Sequence, residues 1–267
     1  MRIILLAALA LVVSCSSSSS YNETTFPYSY DQTNLINKTP KKVILAPVNL
    51  GVPTPSYLAK AERKTKAMVR DYLKSNGFEI LPDYLYENAW QKAIRTYGNV
   101  YDPSTGKIDV NAWRGAMITV GEVLREQSDA DLIIYADLID HDVQHSNGMQ
   151  HYARWYGVTR KPALQGSGTG VPMDFEWTQR IKAASLLVSI YDINLNPVFA
   201  SRGGIDTLYA INMKSSNPVF VRRKKLLSND SYIEEGIEIA FHPFIKMKGY
   251  PGKEIEPAAA ATTTETE

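Results

Sequence analysis

Cysteine is nearly missing from this chain: Cys15 is the only one in 267 residues. No disulfide can close within it, and a metal centre built on several thiolates is excluded. A second long apolar run is missing as well. Ile3 to Val13 carries no polar side chain but stops well short of the roughly 20 residues that cross a hydrocarbon core, and no later stretch comes closer. Charge of one sign is also lacking, with 29 basic side chains against 28 acidic ones. That removes the basic excess typical of nucleic-acid-binding proteins, so no nucleic-acid partner is expected. The Gly-x-Ser-x-Gly elbow of serine hydrolases does not occur. Gly166-Ser167-Gly168-Thr169-Gly170 has neither the leading strand nor the trailing Lys-Ser or Lys-Thr of a phosphate loop, and reads as a flexible stretch. No catalytic residue and no cofactor are expected.

What is present begins with the first residues. Arg2 is followed by the apolar run, which ends in Val12-Val13-Ser14-Cys15. A short positive start and an apolar stretch of this length form a secretory signal, and the ending resembles the bacterial lipobox. The resemblance implies cleavage after residue 14 and a diacylglycerol on Cys15, which becomes the mature N-terminus. Buried acyl chains contribute about 0.8 kcal/mol per methylene, so several chains hold a domain at a membrane. Cleavage removes Arg2 alone, which leaves the mature chain formally neutral. Ser16 after the cysteine, rather than Asp, implies sorting to the outer membrane with the domain facing the periplasm.

Residues 15–40 read as the lipidated cysteine and a flexible tether rich in Ser, Asn, Thr and Tyr. The tail 251–267, with Pro, Ala, Thr and Glu, reads as disordered. Between them lies one domain, 41–250. Lys42 to Val48 has the look of a buried strand. Thr54-Pro55 starts a helix that Gly77 ends, with Glu62 and Lys66 one turn apart on its solvated side. Phe78 to Leu81 is a second strand. Asp83 caps a helix stopped at Gly98, and Asn111 caps a third. Ala130 to Asp140 is the most apolar strand. Ala183–Tyr191 and Pro197–Arg202 form a hairpin around Asp192 to Asn196, whose asparagines tolerate the left-handed backbone of a tight turn. Ile205 to Met213 adds a strand, and Ser228 caps the last helix. This order predicts an α/β (α+β) fold: a mixed sheet with a parallel start and an antiparallel hairpin, covered by three to four helices.

With that order the chain resembles secreted α/β lipoproteins of the curli-secretion (CsgG-like), penicillin-binding-protein activator and TolB N-terminal types. The likeness rests on Lys42 to Val48, Gly77 to Leu81, Ala130-Asp131-Leu132-Ile133-Ile134, and Ser189-Ile190-Tyr191-Asp192 with Asn194. It implies a non-enzymatic adaptor or assembly factor for an envelope or secretion complex, with an envelope protein as partner. The alternatives are a subunit of an oligomeric outer-membrane channel, and a metal-binding protein or metal-dependent hydrolase.

Two regions carry candidate sites. Asp140, His141, Asp142, His145 and His151 lie close together in sequence. His141 and His145 share a face of an extended strand, and imidazole with carboxylate suits a divalent ion, although no known ligand spacing is matched. The insertion 142–182 is long for a connection and mixes aromatic with basic residues. Tyr152, Arg154, Trp155, Tyr156, Phe175 and Trp177 are its partner-binding candidates, since such residues dominate interfaces. A membrane-inserted hairpin needs about ten alternating residues per strand, and Tyr152 to Lys161 does not alternate. Arg222-Arg223-Lys224-Lys225 is a basic cluster that reads as a solvated face or an electrostatic contact, and Glu234-Glu235 reads as solvated.

Overall fold

The computed structural model describes residues 28–35, 39–47, 57–102, 104–105, 107–147, 149–168, 170–214 and 217–251. The signal, Cys15, the tether up to residue 27, the Thr54-Pro55 helix start and the tail from residue 252 lie outside the described residues. In chain order the strands and helices are β1 (Ser29–Tyr30), β2 (Lys42–Leu45), α1 (Ala59–Ser75), β3 (Glu79–Ile80), α2 (Asp83–Tyr97) and α3 (Val110–Gln127). There follow β4 (Leu132–Val143), β5 (Ala153–Trp155), β6 (Val158–Arg160), β7 (Ala163–Gln165), β8 (Ile181–Asp192), β9 (Pro197–Thr207), β10 (Tyr209–Asn212), β11 (Phe220–Arg222) and α4 (Asp230–Phe241).

The main sheet has the order β1-β9-β8-β4-β2-β3. β2 runs parallel to β3 and β4, while β4, β8, β9 and β1 pair antiparallel. The protein is therefore an α/β mixed sheet with four helices among its described residues. Successive residues of β2 point to opposite faces. Val43 and Leu45 pack with Leu132, Ile134, Leu186 and Val188 against Val69 and Leu73 of α1 and Ile237 and Phe241 of α4. Ile44 and Ala46 join Ile133 and Tyr135 against Tyr86 and Ala89 of α2 and Ala116 and Val120 of α3. Helices on both faces explain why β2 from Val43 onward and the start of β4 are apolar rather than alternating.

Several boundaries differ from the sequence reading, each for a local reason. The cap of α3 is Asp109, which accepts from Asn111 N and Ala112 N, so Asn111 is already helical. Asn229 caps α4 by accepting from Ser231 N, in place of Ser228. Asp83 is the first residue of α2 and makes no cap bond; its carboxylate takes Lys66 at 3.1 Å and Arg70 at 2.5 Å. Lys66 thus serves a link between helices. At the β8–β9 turn, Asp192 Oδ1 accepts from Asn194 N and Asn196 N. The left-handed residue there is Leu195, at φ 66°, not an asparagine. Within the stretch read as a tether, Ser29–Tyr30 pairs with β9, and the Tyr30 ring meets Phe199 edge-on at 5.7 Å.

The insertion is ordered. β5 and β6 form a hairpin, and β7 joins β10 and β11 in a second sheet. Each hairpin strand has three residues, far short of the about 9–11 a membrane-spanning strand requires. No described helix is long and apolar enough to cross a membrane. Val143, Ala153, Trp155, Val158, Ile211, Phe220 and Ile239 of α4 form a third core cluster. Two glycines of β9 bring these layers together. A Cβ on Gly203 would lie 1.9 Å from Gly236 O of α4, and one on Gly204 would lie 2.3 Å from Val158 Cγ2 of the hairpin.

Candidate functional site

β4 carries its last residues beyond the helix-covered part of the sheet, and there the β5–β6 hairpin folds back over β8 and β9. Trp155 Nε1 donates to Ser185 Oγ at 3.1 Å, and Gly204 N donates to Tyr156 O at 2.9 Å. Between β4 and the hairpin opens a cleft of about 540 Å³, lined by His141 to Ser146 and by Tyr152, Arg154, Trp155 and Tyr156. Four of the six partner-binding candidates thus share one cleft, but in different roles. Trp155 is 5% exposed and belongs to the core, which removes it as a contact residue. Arg154 is exposed, and Tyr152 and Tyr156 are half-buried. Phe175 and Trp177 lie elsewhere, half-buried against Phe220 of β11 and against each other.

The histidines do not assemble as ligands, and no group of three metal-binding side chains occurs among the described residues. Strand alternation separates them from their neighbouring carboxylates. Asp140 turns to the α1 side, where the Tyr57 hydroxyl donates to it. Burial and that bond push the Tyr57 phenol up to about 12. Asp142 pairs with Lys182 at 3.0 Å. His141 instead packs against the Tyr156 ring at 4.8 Å, and His145 stacks on Phe220 at 5.5 Å. His151 stacks on Trp177 at 3.6 Å and contacts Ser146 O through Nδ1 at 3.1 Å. Both ring nitrogens of His141 and of His145 are shut off from solvent without a hydrogen-bond partner. Burial holds each imidazole down to about 4, so both are neutral at neutral pH.

The charged runs are also largely absorbed by the fold. Arg222 lies over the Tyr57 ring at 4.0 Å, and Arg223 binds Asp206 Oδ2 at 2.5 Å and Thr207 O at 3.0 Å. Glu235 is not simply solvated: it accepts from Arg160 Nη2 at 2.7 Å. Arg160 also donates to Ile205 O at 2.7 Å and lies over Tyr232 at 3.9 Å, tying the insertion to α4. Gly168 is packed rather than free, since a Cβ there would meet Met213 O at 2.7 Å.

Sequence reasoning missed a second cleft, of about 430 Å³, where α3 leans over β4 and β8. Trp113, Met117, Tyr135, Tyr191 and Leu195 make it mostly apolar, and Arg114, Asp137 and Ser189 add polar atoms. The Tyr135 hydroxyl accepts from Tyr86 at 3.2 Å and reaches Met117 Sδ at 3.9 Å. On the lip, Val110 is 61% and Ile118 48% exposed. These two aliphatics stand about two turns apart on one stripe of α3, with Arg114 one turn from each. That departure from an amphipathic pattern was the available signal.

No protein-family model matches the chain, and no curated protein matches it. Among solved structures it is similar to a PelC dodecamer from Paraburkholderia phytofirmans, at TM-score 0.28 and 11% identity, over 74% of this chain and 83% of that one. A likeness of that degree carries no argument about function.

Proposed function

We propose that the protein is a non-enzymatic bacterial envelope lipoprotein: an adaptor or assembly factor held at the outer membrane, facing the periplasm, by a diacylglycerol on Cys15. The observation that carries this reading is the apolar run ending in Val12-Val13-Ser14-Cys15 in a chain with no other cysteine. A thiol with no disulfide partner is a liability in an oxidising compartment unless it is capped, and lipidation caps it. The resemblance to the curli-secretion, penicillin-binding-protein activator and TolB N-terminal types supports the assembly role. The partner's contact is assigned to the rim of the hairpin cleft, through Arg154, Tyr152 and Tyr156.

Two measurements test this. In cells fed an alkyne fatty acid, the wild-type protein takes up label and sediments with membranes. Cys15→Ser is expected to lose the label and appear as the uncleaved, larger form. An unlabelled wild-type protein overturns the anchor. A photo-crosslinker at Arg154 is expected to capture one envelope protein, with the yield falling at least tenfold when Tyr152 and Tyr156 are changed to Ala. Capture that is indifferent to those changes removes the cleft rim as the contact. Mass measurement in detergent separates an adaptor from a channel subunit, which would run as a ring.

A further inference from the structure

The one buried histidine among the described residues of the insertion, His145, stands outside the proposed function. His145 is 1% exposed. Phe220 of β11 stacks on one side of its ring, and Trp177 meets it edge-on at 6.4 Å. A neutral imidazole carries one donor and one acceptor, and here neither is used. A protonated one would carry two donors and a full charge into the same aromatic surroundings, where no described residue accepts them. The ionisable groups around it offer no relief. His151 stacks on the other contact of the seam, the Trp177 indole, and a charge on it would oppose one on His145. The 170–180 segment supplies Phe175 and Trp177, and Glu176 there is turned to Thr178. β11 supplies Phe220, and its Arg222 is spent on Tyr57. On the cleft wall Asp142 is paired with Lys182, and Arg154 is a cation. His141, further along β4, feels Asp140 and Asp142 on one side of the balance and Arg202 and Lys182 on the other.

We propose that the aromatic seam around His145 is an acid-opened latch: protonation of this ring releases the 170–180 segment and β11 from the end of β4, while the helix-covered sheet stays folded. The opening is local because the 170–180 segment and the three-residue β11 join the third core cluster through Phe175, Trp177 and Phe220, whereas its Val143, Ile181, Ala183 and Ile239 belong to β4, β8 and α4 of the main sheet and its helix cover. The sign follows from where each state takes up its proton. The opened histidine protonates near 6.5 and the closed one near 4, so the closed form loses ground as pH falls from 6.5 to 4 and no further below that.

The four tryptophans report the two regions separately. Trp155 and Trp177 lie in the insertion, whereas Trp90 and Trp113 contact each other at 5.8 Å in the α2–α3 layer. With 5-fluorotryptophan in the whole chain, ¹⁹F spectra from pH 7 to 4 are expected to show Trp177 moving while Trp90 and Trp113 hold still. His145→Phe is expected to remove that transition. The proposal fails if Trp177 is unmoved at pH 4, if all four signals change together, or if His145→Phe leaves the midpoint in place. Should that variant not fold, the imidazole ¹⁵N shifts of wild-type His145 decide. Titration that tracks Trp177 supports the latch, and titration near 6.5 with Trp177 unmoved overturns it.

Discussion

Gly203→Ala is expected to lower the unfolding free energy by about 3 kcal/mol or more, at the upper end of what overpacking costs, when followed by urea denaturation. The new Cβ would stand 1.9 Å from Gly236 O and 2.8 Å from Ala240 N, both backbone atoms of α4. No rotamer relieves a clash with a helix backbone, so α4 must move off β9 and open the core around Ile237 and Phe241. Gly115→Ala supplies the contrast. Its Cβ would lie 2.4 Å from Tyr97 Cε1, a ring 42% exposed and free to swing toward solvent. Alanine in a helix interior is favoured over glycine by about 0.8–1.0 kcal/mol, so Gly115→Ala is expected to be near neutral. Equal losses at the two sites would show that contact with α4 does not set the Gly203 requirement.

The second large effect is expected at Arg223→Met, with a loss of about 3 kcal/mol, the scale for stripping one partner from a buried pair. The side chain of Asp206 is 5% exposed, and burial already raises its carboxyl above the ordinary range despite the neighbouring guanidinium. Losing Arg223 raises it further. An acid whose folded pKa is raised favours the fold below its unfolded value near 3.8, and that contribution is lost as pH rises through the folded value. The penalty of Arg223→Met should therefore be smaller at pH 4 than at pH 7. Adding Asp206→Asn is expected to recover part of it, because Asn keeps an oxygen for Thr207 N, which Asp206 Oδ1 now accepts at 2.8 Å. A penalty independent of pH would place the loss in packing instead of charge.

The main sheet was legible because its elements advertise themselves locally. β2 and the start of β4 are apolar on both faces, Gly77 and Gly98 stop α1 and α2 with positive φ, and Asp192 to Asn196 turns a long hairpin. The insertion was not legible, for two physical reasons. Its strands are too short to show a period, and β7 gains its place by pairing in parallel with β10, so that Ala163 aligns with Ala210. Composition marked Trp155 as a contact residue, but the Ser185 hydroxyl that binds its indole comes from another strand. The histidines looked like ligands for the same reason. Spacing along β4 placed His141 and His145 on one face, yet the rings that enclose them arrive from the hairpin, the 170–180 segment and β11.

The edge position of β1 gives the domain a mechanical character. A pull on the chain ahead of Tyr28 enters at a strand of two residues, at the rim of the sheet, held by pairing to β9 and by the Tyr30 ring. The next firm hold is β2, clamped between β3 and β4 in the sheet interior. Under load the first yields before the second. The freed segment, residues 28–41, then spans at most about 45–50 Å, at roughly 3.3–3.6 Å each, and gives up the packing of Tyr28, Tyr30 and Leu35 on the first core cluster. The domain thus carries its own shock absorber between whatever holds its N-terminus and its core.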